Sequence, residues 1–131
     1  MQPDVDLILA VEREALNKWA AGDPSGFLEA SDDDVTYFDP FLEKRLDGLA
    51  ALRHWYQSFA GQVKIDRWEM LDPHVVLSGD IGVLTFNFVS DSQGRQMRWN
   101  TTEVYRRRAG QWKIIHTHWS LTQPQLSDAI A

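Results

Sequence analysis

The stretch QMRWNTTEVYRRRAGQWKIIHTHWSL, residues 96–121, decides the fold. It alternates with a period near 2, pauses at Ala109-Gly110 and resumes, so that Trp99, Thr101, Glu103 and Tyr105 share one face of the first arm. Two such arms, 96–108 and 111–121, joined by a two-residue turn, predict a β-hairpin. Working upstream, the same alternation predicts strands over 81–90 and over 63–71, the latter continuing after Pro73 as 74–78. Turn signals at Asp72-Pro73, Gly79-Asp80 and Ser92 to Gly94 separate them, and loops this short join antiparallel neighbours.

Before residue 62 the period is near 3.6. Val5, Ile8, Leu9, Leu16 and Trp19 predict an amphipathic helix over 5–20, with Gly22 as its C-cap. Asp23-Pro24 opens a short second helix through Ala30, and Asp47-Gly48 introduces a third over 49–59, ended by Gly61. Between them Val35 to Phe38 reads as a short strand that stops at Asp39-Pro40, because proline offers the sheet no donor. Helices gathered at the front and strands at the back predict an α+β domain with three helices packed on a curved antiparallel sheet. The 131 residues, 44% of them hydrophobic, suit a single domain spanning 1–131.

Composition narrows the chemistry. Thirteen Lys and Arg against 19 Asp and Glu give a net charge of -6 with no basic stripe, which argues against nucleic acid. No apolar run approaches the roughly 20 residues of a membrane span, and residues 1–6 lack a signal-peptide layout, so the expectation is a cytoplasmic protein without a membrane partner. With no cysteine, disulfides, thiolate nucleophiles and Cys-ligated metals are excluded. Neither a Gly-x-Ser-x-Gly elbow nor a Gly-rich phosphate loop occurs. His, carboxylates, Tyr and Ser/Thr remain.

Ala21-Gly22-Asp23, Tyr37-Phe38-Asp39-Pro40, Leu46-Asp47-Gly48, Thr102-Glu103-Val104-Tyr105-Arg106-Arg107, Gly110-Gln111-Trp112-Lys113 and His116-Thr117-His118-Trp119-Ser120 occur in an order that resembles the nuclear transport factor 2-like superfamily over residues 5–121. Leu71-Asp72-Pro73-His74-Val75, Gly79-Asp80, Gln93-Gly94-Arg95 and the His116/His118 pair look most like the association (hub) domain of calcium/calmodulin-dependent protein kinase and its SnoaL-like bacterial relatives. The resemblance implies a cone-shaped, cystatin-like fold with an internal pocket, and a homodimer. By likeness to ketosteroid isomerases, Asp39 before Pro40 stands where the general base stands, Glu103 where a neutral acid donates to the oxyanion, and Tyr56 where a supporting tyrosine lies. Their first-helix tyrosine has Ala15 in its place. The arginines of the hub pocket correspond to Phe88 and Glu103, so the pocket here is expected to take neutral or cationic molecules.

These readings converge on a pocket for a small, largely apolar molecule, walled by Tyr37, Phe41, Trp68, Phe86, Phe88, Trp99, Thr101 and Trp119. Two carboxylates sharing such a cavity would be driven to different pKa values, one acting as base and one as donor, with Asp39, Glu103, Tyr56 and His118 as the candidate catalytic set. Period 2 places His116 and His118 on one face with Ile114, whereas the isomerase alignment turns Ile115, Thr117 and Trp119 inward and both His outward. No metal site is expected, because a His-x-His pair needs a third ligand and His54 and His74 lie in other elements. Arg106 to Arg108 read as a solvated strand end and Asp32 to Asp34 as a polar helix terminus. The expected function is either a cofactor-independent isomerase, cyclase or lyase acting beside a carbonyl, or a non-catalytic ligand-binding or oligomerisation module.

Overall fold

The computed structural model describes residues 3–122. Its elements run α1 (Pro3–Ala20), α2 (Ser25–Ala30), β1 (Ser31–Phe38), β2 (Leu46–Asp47), α3 (Leu49–Gln57), β3 (Arg67–Ser78), β4 (Ile81–Ser92), β5 (Arg95–Arg108) and β6 (Gln111–Leu121). One curved, unclosed sheet takes the order β2-β1-β6-β5-β4-β3. Successive hairpins make β3 to β6 antiparallel, while β1 joins β6 in parallel, the one parallel pair in the sheet. No helix among the described residues is long and apolar enough to cross a membrane.

Alternation decides what the sheet buries. Leu84, Phe86, Phe88 and Ser90 of β4 and Thr101, Glu103 and Tyr105 of β5 are buried, and the residues between them are more exposed. Onto this face α1 lays Ile8, Glu12, Ala15 and Leu16, the spacing of one helical stripe. Gly22 at φ +87° ends α1, its N–H bonding to the Trp19 carbonyl at 2.9 Å, a conformation that costs glycine little. Gly26 brings the helices together: a Cβ there would stand 2.9 Å from the Ala15 Cα of α1.

The first strand is longer than expected. Asp32 to Asp34 belong to β1, and arginines from the far end of β5 accept the charge. Arg106 donates to Asp32 at 2.7 Å and to Asp34 at 3.0 and 2.9 Å, Arg108 also pairs with Asp32, and Arg107 bridges Asp4 at 3.1 Å and Asp80 at 3.0 Å. The basic run is therefore an ion-pair seam joining α1, β1 and the β3–β4 turn, and the acidic run is its partner. Hydrogen bonds from Arg106 hold the Asp32 and Asp34 carboxyls below their usual range.

Strand β6 carries the feature that settles its orientation. Val104 lies opposite His116 and Tyr105 opposite Ile114, leaving Ile115 as an extra, unpaired residue, a β-bulge. The bulge resets the alternation, so Trp112 and Ile114 are buried before it and Thr117 after it. His116 and His118 are turned to the other face, and the shared face with Ile114 that simple period 2 predicts does not form.

Two carboxyls meet in the core. Glu12 and Glu103 are fully buried, and Tyr105 donates to Glu12 Oε1 at 2.6 Å. Were both ionised, Glu12 Oε2 and both Glu103 oxygens would have no donor among the described residues. A proton kept on Glu103 supplies it: burial, then the charge of Glu12, push the Glu103 carboxyl well above the usual value of 4.5. Burial raises Glu12 as well, and hydrogen bonds with Glu103 and Tyr105 pull it part of the way back.

Two outcomes are expected. Gly26→Ala, although it favours helix, forces α1 and α2 apart and should cost about 1–3 kcal/mol in urea unfolding; an unchanged midpoint would show that the two backbones are not in contact. A carboxyl more basic in the folded than in the unfolded chain binds more protons when folded, so its stabilising effect fades as pH rises from about 4.5 toward the raised folded value. Glu103→Gln keeps its hydrogens at every pH. Its stability relative to the wild type should therefore climb as pH rises above about 4.5, by up to about 1.4 kcal/mol per pH unit, and parallel curves would refute the shared proton.

Candidate functional site

Helices and sheet enclose a cavity of about 330 Å³. Its wall is built by Leu16 and Trp19 of α1, Phe27 of α2 and Tyr56 of α3, and by Tyr37, Phe88, Ser90, Met97, Trp99 and Trp119 of the sheet. Asp39, Phe41, Phe59 and residues 62–65 complete it. The rings meet edge to face: Trp99 and Trp119 stand 5.8 Å apart at 89°, Tyr37 and Tyr56 5.4 Å apart at 90°, Phe88 and Trp119 5.4 Å apart at 85°. That geometry suits the aromatic quadrupole.

Asp39 follows directly on β1, where proline ends the ladder and turns the chain. Three donors fix its carboxylate. Tyr37 O–H reaches Oδ2 at 2.8 Å, Trp55 Nε1–H reaches the same oxygen at 3.0 Å, and the Phe41 backbone N–H reaches Oδ1 at 2.8 Å. Oδ1, which accepts one of these bonds, keeps a lone pair for another partner. Burial pushes the Tyr37 and Tyr56 hydroxyls well above their usual pKa, so both stay protonated as donors.

Asp39, Tyr37, Phe41, Tyr56, Phe88, Trp99 and Trp119 come together around the cavity, as the sequence reading grouped them. The other residues of that grouping lie elsewhere. Glu103 is held in the core against Glu12, because α1 covers that part of the sheet, and does not line the cavity with Asp39. His118 is exposed on the opposite face of the sheet, with its ring 5.1 Å from Phe38, because the bulge at Ile115 turns it there. Beside it His116 Nδ1 lies 2.7 Å from the Thr36 hydroxyl. Phe86 and Thr101 are buried without lining the cavity, and Trp68 packs on Phe88 at 5.8 Å while facing an outer groove.

Four contributors escaped the sequence. Trp55 holds Asp39 from sixteen residues away, and no local pattern signals that pairing. Ser90 is buried against the cavity and accepts the Trp99 indole N–H at 3.4 Å; its inward position in the alternation of β4 was the available clue. Trp19 and Phe27 look like ordinary helix core until the cavity beside them is seen.

Known proteins agree with this architecture. A candidate ketosteroid isomerase from Parabacteroides distasonis is 45% identical, with 90% of this chain and 87% of that one covered and a TM-score of 0.82. An NTF2-like protein of unknown function from Pseudomonas putida superimposes with the same TM-score of 0.82 at 21% identity, over 92% of this chain and 87% of its own. The S. rosetta CaMKII hub reaches a TM-score of 0.73 at 24% identity, over 89% of this chain and 95% of its own, a likeness of fold. Residues 8–124 match the SnoaL-like domain family, and with a relative 45% identical over most of both lengths, the chain belongs to that family.

Proposed function

We propose that the cavity binds a small, largely apolar carbonyl compound and that Asp39 acts in it as a general base, making the protein a cofactor-independent isomerase or lyase. The observation that carries this reading is the Asp39 carboxylate in an aromatic wall, oriented by three donors with a lone pair free on Oδ1. Asp39 takes the proton beside the carbonyl, the C–H electron pair moves into an enolate, and the protonated Asp39 returns the proton at another carbon or the enolate expels a leaving group. Glu103 is too deep to stabilise the oxyanion. Ser90 takes that role: its oxygen accepts from Trp99, and its own O–H remains to donate. The P. distasonis relative, described as a candidate ketosteroid isomerase, supports the same chemistry.

A second reading, an assembly module, draws on the likeness to the CaMKII hubs and on the outer face, where Phe38, His116 and His118 cluster with Phe38 37% exposed. Under it, light scattering finds a mass above that of a dimer, and Phe38→Asp lowers it; a monomer or dimer in both proteins refutes it.

Under the enzyme reading, a panel of small ketones incubated in D2O shows catalysed exchange beside the carbonyl by proton NMR. Asp39→Asn should slow that exchange by about 10²- to 10⁴-fold, and Ser90→Ala by on the order of 10²-fold. Exchange at the same rate in Asp39→Asn would overturn the assignment of the base.

A further inference from the structure

The cavity is aromatic, and of the charged side chains that line it Asp39 is half-buried while Lys64 is exposed, where water screens its charge; no arginine is among the lining residues. Trp99 and Trp119, perpendicular at 5.8 Å, and Trp19 and Tyr56, tilted at 54° and 4.9 Å apart, place four electron-rich rings in the cavity lining, and a cation is attracted to such rings.

From the aromatic rings, the cavity carboxylate and the missing arginine we infer that the ligand of this cavity carries a positive charge: an apolar molecule bearing a quaternary or tertiary ammonium group. This deepens the proposed function and rests on it for the claim that the cavity binds a small molecule. Proton transfer within the site does not alter the requirement. When Asp39 takes a proton the negative charge moves to the enolate, so the cavity plus substrate keeps the same total and a cationic substituent compensates it throughout. A neutral ligand gains nothing from the carboxylate or from the ring quadrupoles, and an anionic one meets a carboxylate of its own sign.

The test compares three probes of one shape by NMR titration of the indole N–H resonances. They are 2-(4-hydroxyphenyl)ethyltrimethylammonium, its uncharged carbon isostere 4-(3,3-dimethylbutyl)phenol, and the anion 2-(4-hydroxyphenyl)ethanesulfonate. The cation should bind at least tenfold tighter than the isostere, the anion weakest. In Asp39→Asn the advantage of the cation should shrink at least fivefold while the isostere binds as before, which also shows that the cavity is intact. The comparison in the wild-type protein decides the matter even if that variant does not fold. Equal affinities, or tighter binding of the neutral or anionic probe, overturn the cationic ligand and leave the binding cavity standing. If no probe shifts the indole resonances, the binding reading beneath the inference fails with it.

Discussion

A single extra residue in β6 governs what the two sides of the sheet are for. A strand that kept strict alternation from Trp112 would carry Ile114, His116 and His118 inward together, and Thr117 and Trp119 outward. Ile115 absorbs one position, so β6 can pack Trp112 and Ile114 under α1 and then present Thr117 to Glu103 and Trp119 to the cavity. The Trp119 wall of the cavity and the outward histidines follow from that displacement. Bulges of this kind bend and twist a strand as well as reversing its faces.

What local sequence could reveal tracks where the deciding information lies. The long hairpins and the amphipathic first helix show in periodicity, which each segment carries by itself. Asp32 to Asp34 do not read as a strand, because three adjacent acids have poor strand propensity; they are tolerated in β1 because Arg106 and Arg108 arrive from more than seventy residues away. The two-residue β2 is too short to form a pattern, and it exists through its pairing of Thr36 with Asp47 and Tyr37 with Leu46. The parallel union of β1 with β6 likewise has no local mark.

The site divides in the same way. Asp39, Tyr37 and Phe41 are set by a strand end and a proline, and Phe88 and Trp99 by period 2, so chain-local reasoning reaches them. Glu103 was correctly placed on the inner face, yet inner face and cavity are different places once α1 has brought Glu12 down upon it. His118 required knowledge of the bulge. Trp55 required knowledge of how α3 crosses the end of β1, which the helical pattern alone does not contain.

The outermost strand of the sheet has a bearing on self-association. In β3, Leu71 pairs with Asn87 and His74 with Thr85, so an extra residue interrupts the ladder at Asp72-Pro73, with Asp72 at φ +50°. Proline has no N–H to offer a further strand, and the irregularity interrupts the regular row of backbone groups. An incoming strand from another molecule finds no unbroken row of donors and acceptors to copy. The unclosed sheet is thereby guarded against fibre-like growth at this edge, and contacts between folded copies are left to side-chain surfaces.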